Sequence, residues 1–176
     1  MNTKQEKILK MSKFLDALMK IGAILFIMTI AANSAAIIMA PSLDLTRFTI
    51  GETLGNARFE GGVDEFRTIM LIGILSAGVM SAILFVASFI FKDMSRGATP
   101  FTTKNANRLR VISLLLIALS IVIPPLKMLL TMIFFTSVKA YFSINAGQIV
   151  FAIMFFCLAL IFEYGAELQR ESDETL

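Results

Sequence analysis

Two adjacent prolines and a lysine interrupt an otherwise apolar run in the third quarter of the chain: IPPLKML, with Pro124, Pro125 and Lys127. Pro125 cannot donate a backbone hydrogen bond, and its ring crowds the carbonyl four residues back. Pro124 is disfavoured in the α conformation because another proline follows it. A kink or break is predicted there, and backbone carbonyls freed inside a membrane must find other partners. A lysine at that depth marks a functional position by default. No Asp or Glu falls within the four apolar runs of this chain. Lys127 therefore has two readings: its long stem snorkels to the interface or meets the acidic first loop, or it holds an anionic ligand or lipid. Asn33 raises a similar choice. With Ser34, Ser76 and Ser81 it is either the polar lining of a pocket between the first two spans or ordinary helix packing.

Nucleophilic and metal chemistry find little support. The chain has no His and a single Cys, Cys157, which removes Ser–His and Cys–His pairs, most zinc and haem sites and any internal disulfide. Cys157 lies in an apolar run and reads as a small buried or lipid-facing side chain. There is no phosphate loop, and GETLGNARFEGG lacks the spacing of a dinucleotide fingerprint. The expectation is a protein that is not an enzyme and carries no cofactor or metal.

Charge is concentrated in two other places. Residues 92–110 carry Lys92, Arg96, Lys104, Arg108 and Arg110 against Asp93 alone. Residues 163–176 carry five acids, Glu163, Glu167, Glu171, Asp173 and Glu174, against Arg170. Glu163, Glu167 and Glu171 form an i, i+4 stripe. Acids at a helix C-terminus oppose the helix dipole, so this tail needs a counter-charge. The expectation is that the stripe faces the basic loop. Arg108 and Arg110, with Glu163, Tyr164, Glu167, Gln169, Glu171 and Asp173, are then the candidate interaction surface. No nucleic-acid motif accompanies the basic residues, and direct binding of nucleic acid is not expected.

The elements that position these groups are transmembrane helices. Hydrophobic residues make up 57% and charged residues 16% of the chain, against about 45–50% and 25% in soluble proteins. Four runs, at about 21–40, 68–91, 111–135 and 146–162, reach the roughly 20 residues that cross a hydrocarbon core. The segments between them alternate in charge. Residues 1–20 hold five Lys against two acids, loop 41–67 holds three Arg against five acids, loop 92–110 is basic, and the third loop has only Lys139. The positive-inside rule puts the N-terminus, loop 92–110 and the tail 163–176 in the cytoplasm, with loop 41–67 outside. A cleaved signal peptide ending near IMAPS is the competing reading of the first forty residues, but the apolar run is longer than a signal core.

Ile8, Met11, Leu15 and Leu18 form an apolar stripe flanked by lysines, which suits an interfacial helix ahead of the first span; otherwise the span simply begins early. Within the outer loop, TRFTI is predicted to form a short strand, with Gly51, Gly55, Gly61 and Gly62 as turn sites. The loop is too short for its own core and is expected to form a small hairpin or irregular cap on the helix ends. Gly73, Ala77 and Ser81 on the second span, with Ala31 and Ala35 on the first, are predicted to form the seam between those spans. Thr102 or Thr103 is predicted to cap the third helix.

Two stretches, RGATPFTTKNANRLR and IFEYGAELQRESDETL, resemble the signatures of the bacterial domain-of-unknown-function 2975 family. The matching positions are Pro100, Phe101, Asn105, Arg108 and Leu109, then Tyr164, Gly165, Ala166, Leu168, Gln169, Glu171, Asp173, Thr175 and Leu176. Gly97 stands three residues before Pro100, a looser match to the family's glycine. The resemblance implies a small four-span bacterial inner-membrane protein of no established activity. It also implies a helix-turn-helix regulator as a companion, and it transfers no catalytic residue.

The reading is therefore an all-α integral membrane protein forming one domain over 1–176. It is a four-transmembrane-helix bundle with a proline-broken third helix, a short extracytoplasmic cap, a cytoplasmic helical tail and both termini in the cytoplasm. Its function is regulatory or interaction-type, with membrane lipid, a cytoplasmic regulator protein and a second copy of the chain as candidate partners. The alternative is a small transporter, ligand sensor or immunity protein with a site near Lys127 and the outer loop.

Overall fold

A computed structural model describes residues 3–42, 49–50, 57–58, 62–134 and 145–174. Five helices carry it: α1 (Thr3–Met39), α2 (Val63–Ser95), α3 (Thr103–Ile117), α4 (Ile123–Phe134) and α5 (Ala146–Glu174). A π-helical segment, Ala118–Val122, joins α3 to α4, so these two make one continuous span. Four helical stretches are thus long and apolar enough to cross a membrane, and the chain is a multi-pass membrane protein.

The helices overrun the apolar runs. α1 needs no separate interfacial helix, because its helical path starts at Thr3 and passes Lys20 without a break. At about 1.5 Å per residue, 37 residues exceed a hydrocarbon core of about 30 Å by several turns. α2 likewise starts within loop 41–67, with Asp64 and Glu65 in its first turn, where acids favour the helix dipole. The connection between α2 and α3 shrinks to 96–102. α5 runs unbroken from the membrane into the tail.

α1 packs antiparallel along α2, α5 packs along α3, and α2 joins the two pairs through α3 and α4. Close approach on α1/α2 uses small residues. A Cβ on Gly22 would stand 3.0 Å from Leu84, and one on Gly73 would stand 2.6 Å from the Asn33 amide nitrogen. Ser81 Oγ donates to the Ala23 carbonyl at 3.3 Å, Ala77 is buried, and Ala40 packs with Phe66. Gly73, Ala77 and Ser81 therefore line the seam as expected. Ala31 and Ala35 do not: both are exposed, because Asn33 is the α1 residue that turns to α2 at that level.

A second core joins Ile83 and Ile90 of α2, Leu109 and Ile112 of α3, and Ala159 of α5. The outer faces are apolar and open, Cys157 among them, as suits helices surrounded by acyl chains. In the first loop, Thr49–Ile50 pairs antiparallel with Ala57–Arg58, a minimal hairpin that includes the end of TRFTI. The rest of the expected cap, Phe135, the third loop with Lys139, Thr175 and Leu176 lie outside the described residues.

Candidate functional site

The charged end of the molecule is built around the turn between α2 and α3. α2 stops at a glycine in the left-handed region, Gly97 (φ 87°). The Gly97 N–H reaches the Met94 carbonyl at 3.1 Å and the Ala98 N–H reaches that of Asp93 at 3.2 Å. This paired closure satisfies carbonyls that a helix end leaves open. The chain then reverses. Thr102 Oγ1 accepts from the Asn105 N–H at 3.2 Å and caps α3. The buried Asn105 side chain donates back to the Pro100 carbonyl at 3.1 Å.

Arg108 ties the start of α3 to the end of α2. Its Nη1 lies 2.7 Å from Asp93 Oδ2, 2.8 Å from Asn105 Oδ1 and 3.0 Å from the Phe89 carbonyl. Its guanidinium carbon stands 5.5 Å from the centre of the Phe89 ring, within cation–π range. Lys104 Nζ approaches the same Asp93 oxygen at 3.9 Å. Asp93 lies beyond the apolar stretch of α2, and the hydrogen-bonded Arg108 beside it holds its carboxyl below the usual aspartate range.

The tail is clasped against this turn. Arg110 pairs with Glu163. The Phe101 ring packs on Phe162, centroids 5.2 Å apart, and lies over Gly165, where a Cβ would stand 2.7 Å from Phe101 Cδ1. Thr99 Oγ1 donates to Gln169 Oε1 at 3.1 Å. Residues from the two stretches quoted above thus touch one another.

The acidic stripe does not face the basic loop along its whole length. Four residues of α-helix turn about 400°, so each i+4 step drifts about 40° around the axis. Glu163 meets Arg110, whereas Glu167 is exposed and joins no ion pair among the described residues. Glu171 and Asp173 are also exposed. Tyr164 and Leu168 point outward with Glu167, 64% and 48% exposed. What holds the tail is mostly uncharged: Phe101, Gly165, Thr99 and Gln169. The signal for this lay in Gly165, whose lack of a side chain admits the ring.

The intramembrane candidates fall in separate places. Asn33 sits over Gly73 in the α1/α2 seam. Ser34 bonds its own helix at the Ile30 carbonyl, and Ser81 lies about 15 Å from Asn33 by helix rise, at the level of Ala23. Ser81 therefore stands apart from Asn33 and Ser34. Pro124 and Pro125 open α4, directly after the π segment, and the Ile123 N–H reaches back to the Ala118 carbonyl. This wider register accommodates the missing proline donors. The fully buried Ser120 hydroxyl lies 2.9 Å from the Leu116 carbonyl and 3.2 Å from Gln148 Oε1 on α5. Lys127 follows one turn later on α4 and is half-buried.

Asp16 lies in no motif of the sequence. It forms an i, i+4 pair with Lys20 at 2.7 Å on the α2-facing side of α1, and no donor among the described residues reaches its buried Oδ1.

A family described as "Protein of unknown function (DUF2975)" matches residues 54–176. No curated protein and no solved structure matches the chain.

Proposed function

The chain belongs to the DUF2975 family of proteins of unknown function, and on that premise we propose that it is a non-enzymatic regulatory or interaction protein of the bacterial inner membrane. Both termini lie in the cytoplasm, following the lysine bias of residues 1–20 and the basic 92–110 segment. The tail and the 96–104 turn form one platform there for a soluble partner, with the small helix-turn-helix regulator that the family resemblance implies as the leading candidate. The observation that carries this reading is the clasp itself. Phe101 on Gly165 and Thr99 on Gln169 hold one face of the tail and leave Tyr164, Glu167 and Leu168 presented to solvent. A helix fixed on one side and exposed on the other binds without a large ordering cost.

The test is co-purification of the detergent-solubilised full-length protein from its native cells. A soluble partner retained by the wild type and lost with Tyr164→Ala/Leu168→Ala supports the reading. The absence of any tail-dependent partner sinks it. Fusion of a cytoplasm-only reporter to the C-terminus checks the orientation.

A second reading, a transporter, ligand sensor or immunity protein, draws on the π segment ahead of Pro124 and on half-buried Lys127. Full retention of ligand binding and phenotype by Lys127→Met would remove it.

A further inference from the structure

The start of α1 and the tail of α5 carry opposite charge on matching exposed faces. On α1, Met11, Phe14 and Leu18 are 61%, 66% and 47% exposed. Their three- and four-residue steps place them on one face, turned away from Ser12 and Ala23, which are buried. Lys7 is exposed on that face and Lys10 at its edge, where it also pairs with Glu6 of α1 at 2.8 Å. On α5, Tyr164 and Leu168 are exposed, with Glu167 beside them and Glu171 one turn on.

The two faces lie at the same height. The α1/α2 contacts Gly22–Leu84 and Ala23–Ser81, continued at helical rise, set Met11 and Phe14 beside the charged end of α2. Arg108–Asp93 carries that level to α3, and Arg110–Glu163 carries it to α5. Within one chain α1 packs along α2 and α5 along α3, so neither face covers the other.

We propose that the basic, apolar-faced first turns of α1 in one copy lie against the acidic, apolar-faced tail of α5 in a second copy. The last turn of α5 is charged against its own helix dipole, with Glu171, Asp173 and Glu174 at the negative C-terminal end, whereas α1 brings Lys7 and Lys10 just beyond a first turn that holds Glu6. Set side by side antiparallel, the two ends compensate each other across the interface. The contact can be made twice about a twofold axis. It covers Tyr164, Glu167 and Leu168, the face offered above to a soluble partner, so the two contacts are alternatives at one surface; vesicles of the purified protein hold no soluble partner, so its failure and that of the reading above are distinguishable.

The test uses purified full-length protein, with Cys157→Ala, in phosphatidylethanolamine–phosphatidylglycerol vesicles. Two differently tagged copies carry Met11→Cys and Leu168→Cys respectively and are treated with a short bis-maleimide. A mixed-tag covalent dimer is expected. Lys7→Glu/Lys10→Glu on the first copy should lower its yield roughly fivefold, as for a loss of about 1 kcal/mol. Glu167→Lys/Glu171→Lys on the second copy should restore it, which separates lost pairing from misfolding. Absence of the mixed dimer overturns the proposal, whether Met11 then proves lipid-covered or links only to another Met11→Cys copy. A yield insensitive to the charge changes also overturns it.

Discussion

Gly165 lies beneath the ring of Phe101, so close that a Cβ at 165 would stand 2.7 Å from Cδ1 and 3.0 Å from Cγ. The backbone of α5 therefore lies directly against the Phe101 ring of the turn after α2. Gly165→Val should push the tail off the turn at a cost of about 1–3 kcal/mol, the usual range for overpacking. Phe101→Ala should lose packing alone. The double variant should be less destabilised than the sum, because the ring that clashes is gone. Thermal unfolding in detergent reads the coupling, and limited proteolysis of the tail reads the displacement.

Arg108 is held by three acceptors, of which the Asp93 carboxylate is nearest at 2.7 Å. Arg108→Met leaves that carboxylate and the Asn105 oxygen without their donor. A cost of about 2 kcal/mol is expected, typical of hydrogen bonds to charged groups. Arg108→Lys should recover only part of it, since an ammonium lacks the planar fork and the stacking on Phe89. The pH dependence has a defined sign. Arg108 lowers the folded pKa of Asp93, so the pair contributes fully above the unfolded value of about 4. Its contribution fades as the pH falls through the lower folded value. The stability gap between wild type and Arg108→Met should accordingly be constant near neutrality and narrow in acid. A gap that widens in acid would show that Asp93 is not the partner that matters.

The α1/α2 seam separates positions that look alike in sequence. Gly73→Leu drives a side chain into Asn33, 2.6 Å from where a Cβ would be, and should cost about 1–3 kcal/mol. Ala35→Leu adds the same kind of bulk on an exposed face and should stay within about 0.5 kcal/mol. Thermal melts of the two variants in one detergent decide between this seam and one running through Ala31 and Ala35.

Those alanines also show where reading the sequence stops. Hydropathy and length locate the four spans, because crossing a bilayer demands about 20 apolar residues whatever the fold. Helix ends are less legible. α1 continues through Lys20 and α2 through Lys92–Ser95 because charged residues with good helix propensity do not stop a helix; the stop comes at Gly97. Which small residues face a neighbour depends on the partner: Ala31 and Ala35 have the right spacing, yet Asn33 opposite Gly73 sets the orientation of α1. The tail illustrates the same limit. The acidic stripe pointed to the turn, and Glu163 does reach Arg110. The tighter fit of Gly165 to Phe101 joins residues far apart in sequence: the glycine marks a close approach, but nothing near it names the ring that makes it.

The remaining prediction concerns the polar contact within the membrane. Ser120 is fully buried in the π segment, and its hydroxyl lies 3.2 Å from Gln148 Oε1 on α5. One hydroxyl proton cannot serve Leu116 and Gln148 at once, so the Leu116 carbonyl at 2.9 Å competes for it. The interhelical bond should therefore be weak. A double-mutant cycle of Ser120→Ala and Gln148→Leu is expected to give a coupling of about 0.6 kcal/mol, the average for such bonds in bilayers. If the π turn instead exists to place Ser120 on Gln148, the cycle changes when the turn is removed. Pro124→Ala/Pro125→Ala returns two N–H donors and lets the α register close. The Ser120–Gln148 coupling should then fall toward zero as Ser120 rotates with the tightened turn, while overall stability holds or rises. An undiminished coupling would mean that Ser120 keeps its place without the prolines, and that the π segment follows from packing against α5.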